Sequence, residues 1–395
     1  PAIDAPGRGP AAVKSEGGVE APDDELPDTD LYTEGELPMS AAPAILDTDT
    51  GRAYATGWVQ DPVEVARVMA EGGIRTLSDV ASRLMFAMAD SDAPVFFWDA
   101  EKKVLGKVLG AWNQGQVGSC VSFGCGRGAQ DVLLLEVAAG EPEQWPGSEV
   151  ATEPIYGGSR VEVGGGRING DGSIGAWAAK WVKDWGILVR KRYSTSGGTY
   201  DLSEYSETRC RQYGEAGVPD SLEPEARLHP VTDVAQVTTG AELWAALGAS
   251  KPVMVCSMQG FTTTLNDGFC EPSGQWAHCM EFRGRFVHPT RGKSVVVQNS
   301  WGNYLRGSLA FKYLDAAGNV QTGELPEGCF CTTLATAAAM CAQRDTFALA
   351  GLKGWTVPGP TPPSPPTPPS PPTPSGWSGT ITYVNGAIAA VTPKA

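Results

Sequence analysis

Apolar residues recur at helical spacing in several stretches of the first half of the chain, and at strand-like spacing in the second half. Asp61-Pro62 has the form of an N-cap followed by a first-turn proline, and Val65, Val68 and Met69 continue one face to Gly72-Gly73. A second short helix is expected from about Thr76 or Ser78, with Val80, Leu84, Met85 and Met88 on one side. Phe123, Val132, Leu133 and Val137 predict a helix that opens at Cys120 and ends near Gly140. Ile174, Trp177, Ala178, Trp181 and Trp185 predict another from Ile174 to Asp184, closed by Gly186. This tryptophan stripe reads as core. Ala241–Leu247 forms a third, shorter helix, after which the period changes. Pro252–Ser257, His278–Val287, Ser294–Gln298 and Ser308–Tyr313 read as strands separated by Gly, Asn and Pro turns. Helices first and antiparallel strands second predict an α+β chain with two unlike halves and a cleft between them.

The ends of the chain differ from this body. Residues 1–50 carry twelve acidic and two basic residues, most of the chain's net charge of −15, and have no hydrophobic period. They read as a disordered acidic leader. Residues 51–93 read as a short helical region, prosegment-like or simply packing, and 94–357 as the main body. Residues 358–374 hold eleven prolines in seventeen positions, so 358–375 is expected to be a stiff polyproline II spacer. Within 376–395, Thr380–Val384, Asn385-Gly386 and Ala387–Thr392 spell a β-hairpin, a unit too small to be stable unless it packs on something. Spacer and hairpin together are candidates for docking to another protein.

Composition excludes several classes of function. With 42 % hydrophobic residues the chain is long and apolar enough for a packed core. No run of about 18 apolar residues predicts a membrane span. No basic stripe is present to collect phosphates, which argues against nucleic acid as a partner. Nine cysteines leave at least one thiol unpaired within a monomer, and compartment cannot be read from them. Cys329, Cys331 and Cys341 have no histidine nearby and no zinc-knuckle spacing, so no metal or cofactor is expected. Gly164-Gly165-Gly166 lacks the ending of a phosphate loop and reads as a surface turn.

The segment Asn113-Gln114-Gly115-Gln116-Val117-Gly118-Ser119-Cys120 carries the candidate chemistry. A helix N-terminus stabilises a thiolate at Cys120. The preceding glycines let the Cys120 amide approach a substrate carbonyl, and Gln114 can fold back to give a second oxyanion donor. A base is needed, and only His229, His278 and His288 are available; His229 and His288 each precede proline in expected turns. His278 opens an expected strand, and Asn299 ends another twenty-one residues later in Asn299-Ser300-Trp301-Gly302. Pairing of these strands would let Asn299 orient the imidazole while Trp301 shields their hydrogen bond.

With these residues in place, the chain resembles the papain-like cysteine peptidases of the C1 family over roughly Pro94–Trp355. The resemblance implies a papain-like two-subdomain fold, with a helical left half and an antiparallel β right half flanking the cleft. It assigns Gln114 to the oxyanion hole, Cys120 to the nucleophile, His278 to the general base and Asn299 to its orientation. Tyr156, Asp171-Gly172-Ser173 and Gly186-Ile187 resemble the left half, and Lys251–Val255 the opening of the right. Gly172, Ser173 and Trp301 are the implied substrate-binding positions, and the substrate is a polypeptide. Three positions depart from the pattern. Val117 stands where a disulfide cysteine is usual, Val121 where a tryptophan follows the nucleophile, and Leu305 where a second shielding tryptophan is common. These departures keep two other readings open: a non-catalytic module retaining the peptidase fold, within a virion or cell-surface assembly for instance, and a Cys-dependent acyltransferase. A further expectation is that the N-terminal region, the acidic stretch with the helices before Pro94, occludes the cleft until it is cleaved.

Overall fold

The structure is a computed structural model that describes residues 45–47, 51–80, 91–141 and 143–355, and the backbone of 379–384 and 387–393. The expected acidic leader, most of the second helix and the proline spacer lie outside the described residues, as does the Asn385-Gly386 turn.

An eight-stranded sheet dominates the second half. Its strands run in the order Cys329–Thr333, Gly292–Gln298, Pro272–His288, Val253–Phe261, Asp345–Leu352, Val231–Gln236 and Arg75–Thr76, with Val95–Phe96 also paired to Pro272–His288. Every pair in it is antiparallel except Arg75–Thr76 with Val231–Gln236. Residues on both sides of position 94 therefore belong to one sheet. The expected strand at Ser308–Tyr313 is found at Ala310–Leu314, but it pairs with Val320–Glu324 in a separate two-stranded sheet. Gly379–Val384 and Ala387–Pro393 pair antiparallel, as the hairpin pattern predicts.

The helices follow the sequence pattern closely. Pro62–Gly72 starts at Asp61, whose carboxylate caps the Glu64 amide, and ends at Gly73 in the left-handed region. Gly175–Asp184 buries Trp177 and Trp181 completely. Gly240–Gly248 opens with a Thr239/Glu242 capping box. Gly164 is buried, and only Gly165 and Gly166 form the exposed turn, following a π-helical turn at Ser159–Val163. No described helix is long and apolar enough to cross a membrane.

The helix Cys120–Ala139 organises the molecule. Every residue from Cys120 to Leu134 is buried, so the segment is enclosed on all sides rather than amphipathic. It contributes Val121, Val132 and Leu133 to a core shared with Val65, Val68, Ile155, Trp177, Trp181 and Leu349. A second core lies between the sheet and two helices, Gly240–Gly248 and Leu334–Cys341, around Val255, Phe282, Val297 and Phe330. Where the helix crosses the sheet, residue 124 must be small: a Cβ there would lie 2.8 Å from the Cys279 sulfur and 2.9 Å from the Met280 carbonyl.

Charge also joins helix to sheet. Arg283, fully buried on the Pro272–His288 strand, pairs with Asp131 of the helix at 3.0 Å and with Glu101 at 2.5 Å. Arg127 adds a second cation on Glu101. Burial first, and the neighbouring Asp131 charge second, push the Glu281 carboxyl well above its ordinary range.

Candidate active site

Cys120 is the first residue of its helix, where unsatisfied amides gather. Its side chain is packed in the first core together with Cys125, Cys256 and Cys279. The thiol has no exposed surface. Burial, and secondarily the neighbouring Cys279, raise it well above the ordinary range of a thiol, so it is protonated in this state.

Cys279, the residue that follows His278, packs in the same core as Cys120 and meets its helix at Gly124. The His278 ring is fully buried and its Nε2 lies 2.7 Å from Asn299 Oδ1. Since Asn299 Oδ1 is an acceptor, which also takes the Ser300 N–H at 2.6 Å, Nε2 carries the proton. Nδ1 has no hydrogen-bond partner. Burial lowers the imidazole from 6.5 to about 4, opposed by the Asn299 bond, which leaves it neutral with a free lone pair on Nδ1. The Trp301 ring lies over His278 with centroids 4.6 Å apart.

Gln114 is tied to the same turn. Its backbone N–H donates to the Ser300 carbonyl at 2.8 Å, and its Oε1 accepts from Ser300 Oγ at 2.6 Å. The side-chain amide Nε2 donates to the Val117 carbonyl at 2.9 Å and to the Ala55 carbonyl at 3.1 Å. Gln114, His278, Asn299 and Trp301 thus share one hydrogen-bonded and stacked group.

A strap from the chain's N-terminal region crosses this group. The Ala55 carbonyl also accepts from the Trp301 indole N–H at 2.9 Å. Gly57 and Trp58 both donate their backbone N–H to the carbonyl of Ala277, the residue before His278, at 3.1 and 3.0 Å. Ser173 N–H donates to the Gly57 carbonyl at 2.8 Å, and Val59 N–H to the Ser173 carbonyl at 2.9 Å, forming a parallel bridge between Trp58 and Ser173. A Cβ at position 57 would lie 1.9 Å from the Gly118 carbonyl oxygen, so the crossing requires glycine. The Trp58 side chain is buried, and its indole N–H donates to Asp345 Oδ2 at 2.7 Å.

Ser173 is thus paired through its backbone with the strap, whereas Gly172 gives its N–H to Tyr156 Oη and its carbonyl to Arg160. Arg160 fixes the shape of this segment by donating to the carbonyls of Ile168, Gly170, Gly172 and Gly214 at 2.5–3.1 Å. Asp345 takes the amides of Gly175 and Ala176 at 2.7 and 2.8 Å besides the Trp58 indole. Sequence reasoning missed Ala55–Trp58, Arg160 and Asp345. None lies in a motif, and the strap's short polar and apolar residues carry no period.

The other candidates lie apart from this group. His229 stacks on Trp355 at 3.8 Å. His288 ends a strand, where a turn was expected, and bonds Asp267 at 3.1 Å. All nine cysteines are free and buried. Among the described residues, no three His, Cys, Asp or Glu side chains converge to hold a metal ion.

Solved structures similar to this chain are cysteine proteases. They include xylellain, a cysteine protease from Xylella fastidiosa, at 14 % identity over 75 % of this chain and 95 % of that one, with a TM-score of 0.48. The Amb a 11 cysteine protease, a ragweed pollen allergen solved in its proform, is 13 % identical over 75 % of this chain and 76 % of that one, with a TM-score of 0.41. Digestive procathepsin L 3 of Tenebrio molitor larval midgut is 14 % identical over 74 % and 94 %, with a TM-score of 0.37. No protein-family model matches the sequence, and no curated protein does. At these identities and TM-scores, function has to be read from this chain's own residues.

Proposed function

We propose that this chain is a cysteine-type peptidase of papain-like layout, drawn here in a latent form closed by the Ala55–Trp58 strap. One observation carries the reading. His278 is held through Nε2 by Asn299, its Nδ1 is left without a partner, and the next residue of its strand, Cys279, packs against the helix that Cys120 opens.

Once the strap has moved, water and substrate reach the site and the burial that keeps the thiol protonated is relieved. Nδ1 of His278 takes the Cys120 proton, and the helix N-terminus stabilises the thiolate. The sulfur attacks the carbonyl carbon of a peptide whose backbone pairs with Ser173, in the place of the strap. The Cys120 amide and Gln114 Nε2 hold the oxyanion. His278 returns its proton to the leaving amine, then activates water to release the acyl-enzyme. In this reading 94–357 is the peptidase body, 51–93 supplies the strap and its anchors, and 358–395 joins the body to a hairpin that docks elsewhere.

The test is hydrolysis of a peptide library by the full chain with the strap displaced, followed by mass spectrometry of products. Cys120→Ala is expected to reduce product to background with the fold intact. Retained turnover would discard the assignment. The complete burial of Cys120 favours a second reading, a non-catalytic module that keeps the fold. Failure of an epoxysuccinyl electrophile to label Cys120 in the strap-displaced chain would select it.

A further inference from the structure

Cys120 lies in a group of buried thiols whose other members the peptidase chemistry does not use. Cys279 is the next residue after His278 and lies with Cys120 in one buried core. The Cys279 side chain turns toward the Cys120 helix, where its sulfur fills the space left by the missing side chain of Gly124. Residue 124 lies one turn beyond Cys120, on the same helix face. The Cys279 sulfur accordingly lies beside the face that presents the nucleophile.

A third thiol backs this pair. Cys256 is the cross-strand partner of Cys279, and both are fully buried. None of these cysteines is in a disulfide, and the group does not converge tightly enough to hold a metal ion. What remains for adjacent thiols is sulfur–sulfur chemistry.

We propose that Cys279 is a resolving thiol for Cys120, converting an oxidised nucleophile into a reversible Cys120–Cys279 disulfide. The proposal rests on the reading of Cys120 as a thiolate nucleophile once the strap has moved. Hydrogen peroxide, or a peroxide of the same class, takes two electrons from the Cys120 thiolate. The S–O bond forms as the O–O bond breaks, giving a sulfenic acid and, after one proton is taken up, water. The Cys279 sulfur then attacks the sulfenic sulfur, the S–S bond replaces the S–O bond, and the hydroxyl leaves as water with the Cys279 proton. A dithiol reductant restores both thiols by exchange. Without a neighbouring thiol, further peroxide carries the sulfenic acid to sulfinic and sulfonic acids that dithiols do not reverse.

The experiment follows the state of the sulfur, not turnover. The full chain, and the full chain carrying Trp58→Ala to loosen the strap, are treated with graded hydrogen peroxide, alkylated under denaturing conditions and digested for mass spectrometry. A Cys120–Cys279 cross-linked peptide that dithiothreitol removes is expected, strongest in the loosened chain. Adding Cys279→Ser should abolish the cross-link and lower the dithiothreitol-recoverable Cys120 thiol about tenfold at the same dose, with sulfinic and sulfonic acids in its place. Direct passage of Cys120 to those acids in the parent chain overturns the proposal. So does a disulfide confined to Cys256–Cys279, equal recovery in Cys279→Ser, or a Cys120 that peroxide leaves reduced in both backgrounds. Because no peptide is cleaved in this measurement, it can fail while hydrolysis by Cys120 stands, and succeed in a chain that hydrolyses nothing.

Discussion

The side-chain amide of Gln114 donates to the carbonyl oxygen of Ala55 at 3.1 Å. The group suited to hold a substrate oxyanion is thus engaged by the protein's own backbone. The second donor to the same oxygen, the Trp301 indole, lies over the His278 ring. The strap thus engages the Gln114 amide that the proposed chemistry would need.

If Gln114 stabilises an oxyanion in the open enzyme, Gln114→Ala should lower kcat by about 10²–10³-fold with KM little changed. Steady-state kinetics on a cleaved peptide reads this directly. A change confined to KM would assign Gln114 to substrate binding alone.

Gly57 controls closure. An alanine there puts a carbon 1.9 Å from the Gly118 carbonyl oxygen, a backbone atom that cannot step aside. The clash far exceeds the ~1.4 kcal/mol that changes a population tenfold. Gly57→Ala is expected to speed labelling of Cys120 by an epoxysuccinyl electrophile by at least about tenfold. Unchanged labelling would mean that the strap does not govern access.

Two buried groups beside the strap give opposite pH dependences. Burial pushes the Asp345 carboxyl from 3.8 up to about 6, despite the Trp58 and backbone bonds it accepts. Between those values the native state binds more protons than the unfolded chain. Its contribution is therefore complete below pH 3.8 and is lost as pH rises through 6, a change on the order of 3 kcal/mol. Asp345→Asn should gain on the parent chain as pH rises from 4 to 7, as seen in thermal melts. His278 works the other way. Burial lowers it from 6.5 to about 4, so its contribution is present above pH 6.5 and is lost as pH falls toward 4. His278→Gln should remove that acid-side loss in the same melts. Parallel curves for either variant and the parent would show that the group keeps its ordinary proton affinity.

Arg283 bears on stability. Replacing it by Met leaves Asp131 and Glu101 buried with less compensation, a loss of about 3–5 kcal/mol by urea unfolding. A loss under 1 kcal/mol, which is the scale of an exposed pair, would mean that water reaches the cluster.

The part of the site legible in the sequence is the part with dense chemical constraint. Gln114, Cys120, His278 and Asn299 announce themselves because thiol, imidazole and carboxamide at such positions have few uses together. The helices at Pro62–Gly72 and Gly175–Asp184 were legible through caps and apolar spacing. The strap was not. Ala55, Gly57 and Trp58 act through backbone groups and one indole N–H, and such contacts leave no pattern in residue type. Asp345 was hidden because a buried acid on a strand looks like a strand-end turn residue until its three donors, from Trp58, Gly175 and Ala176, are seen. The separate sheet of Ala310–Leu314 was equally hidden, since pairing partners are set by tertiary contacts and not by local alternation.

The strap runs on without a break into the Pro62–Gly72 helix, which is embedded in the first core, and then into Arg75–Thr76 at the edge of the main sheet. In the proposed latent form the strap is consequently held from its C-terminal side, and opening the site demands that an interior stretch of backbone peel away from scaffolding that stays folded beneath it.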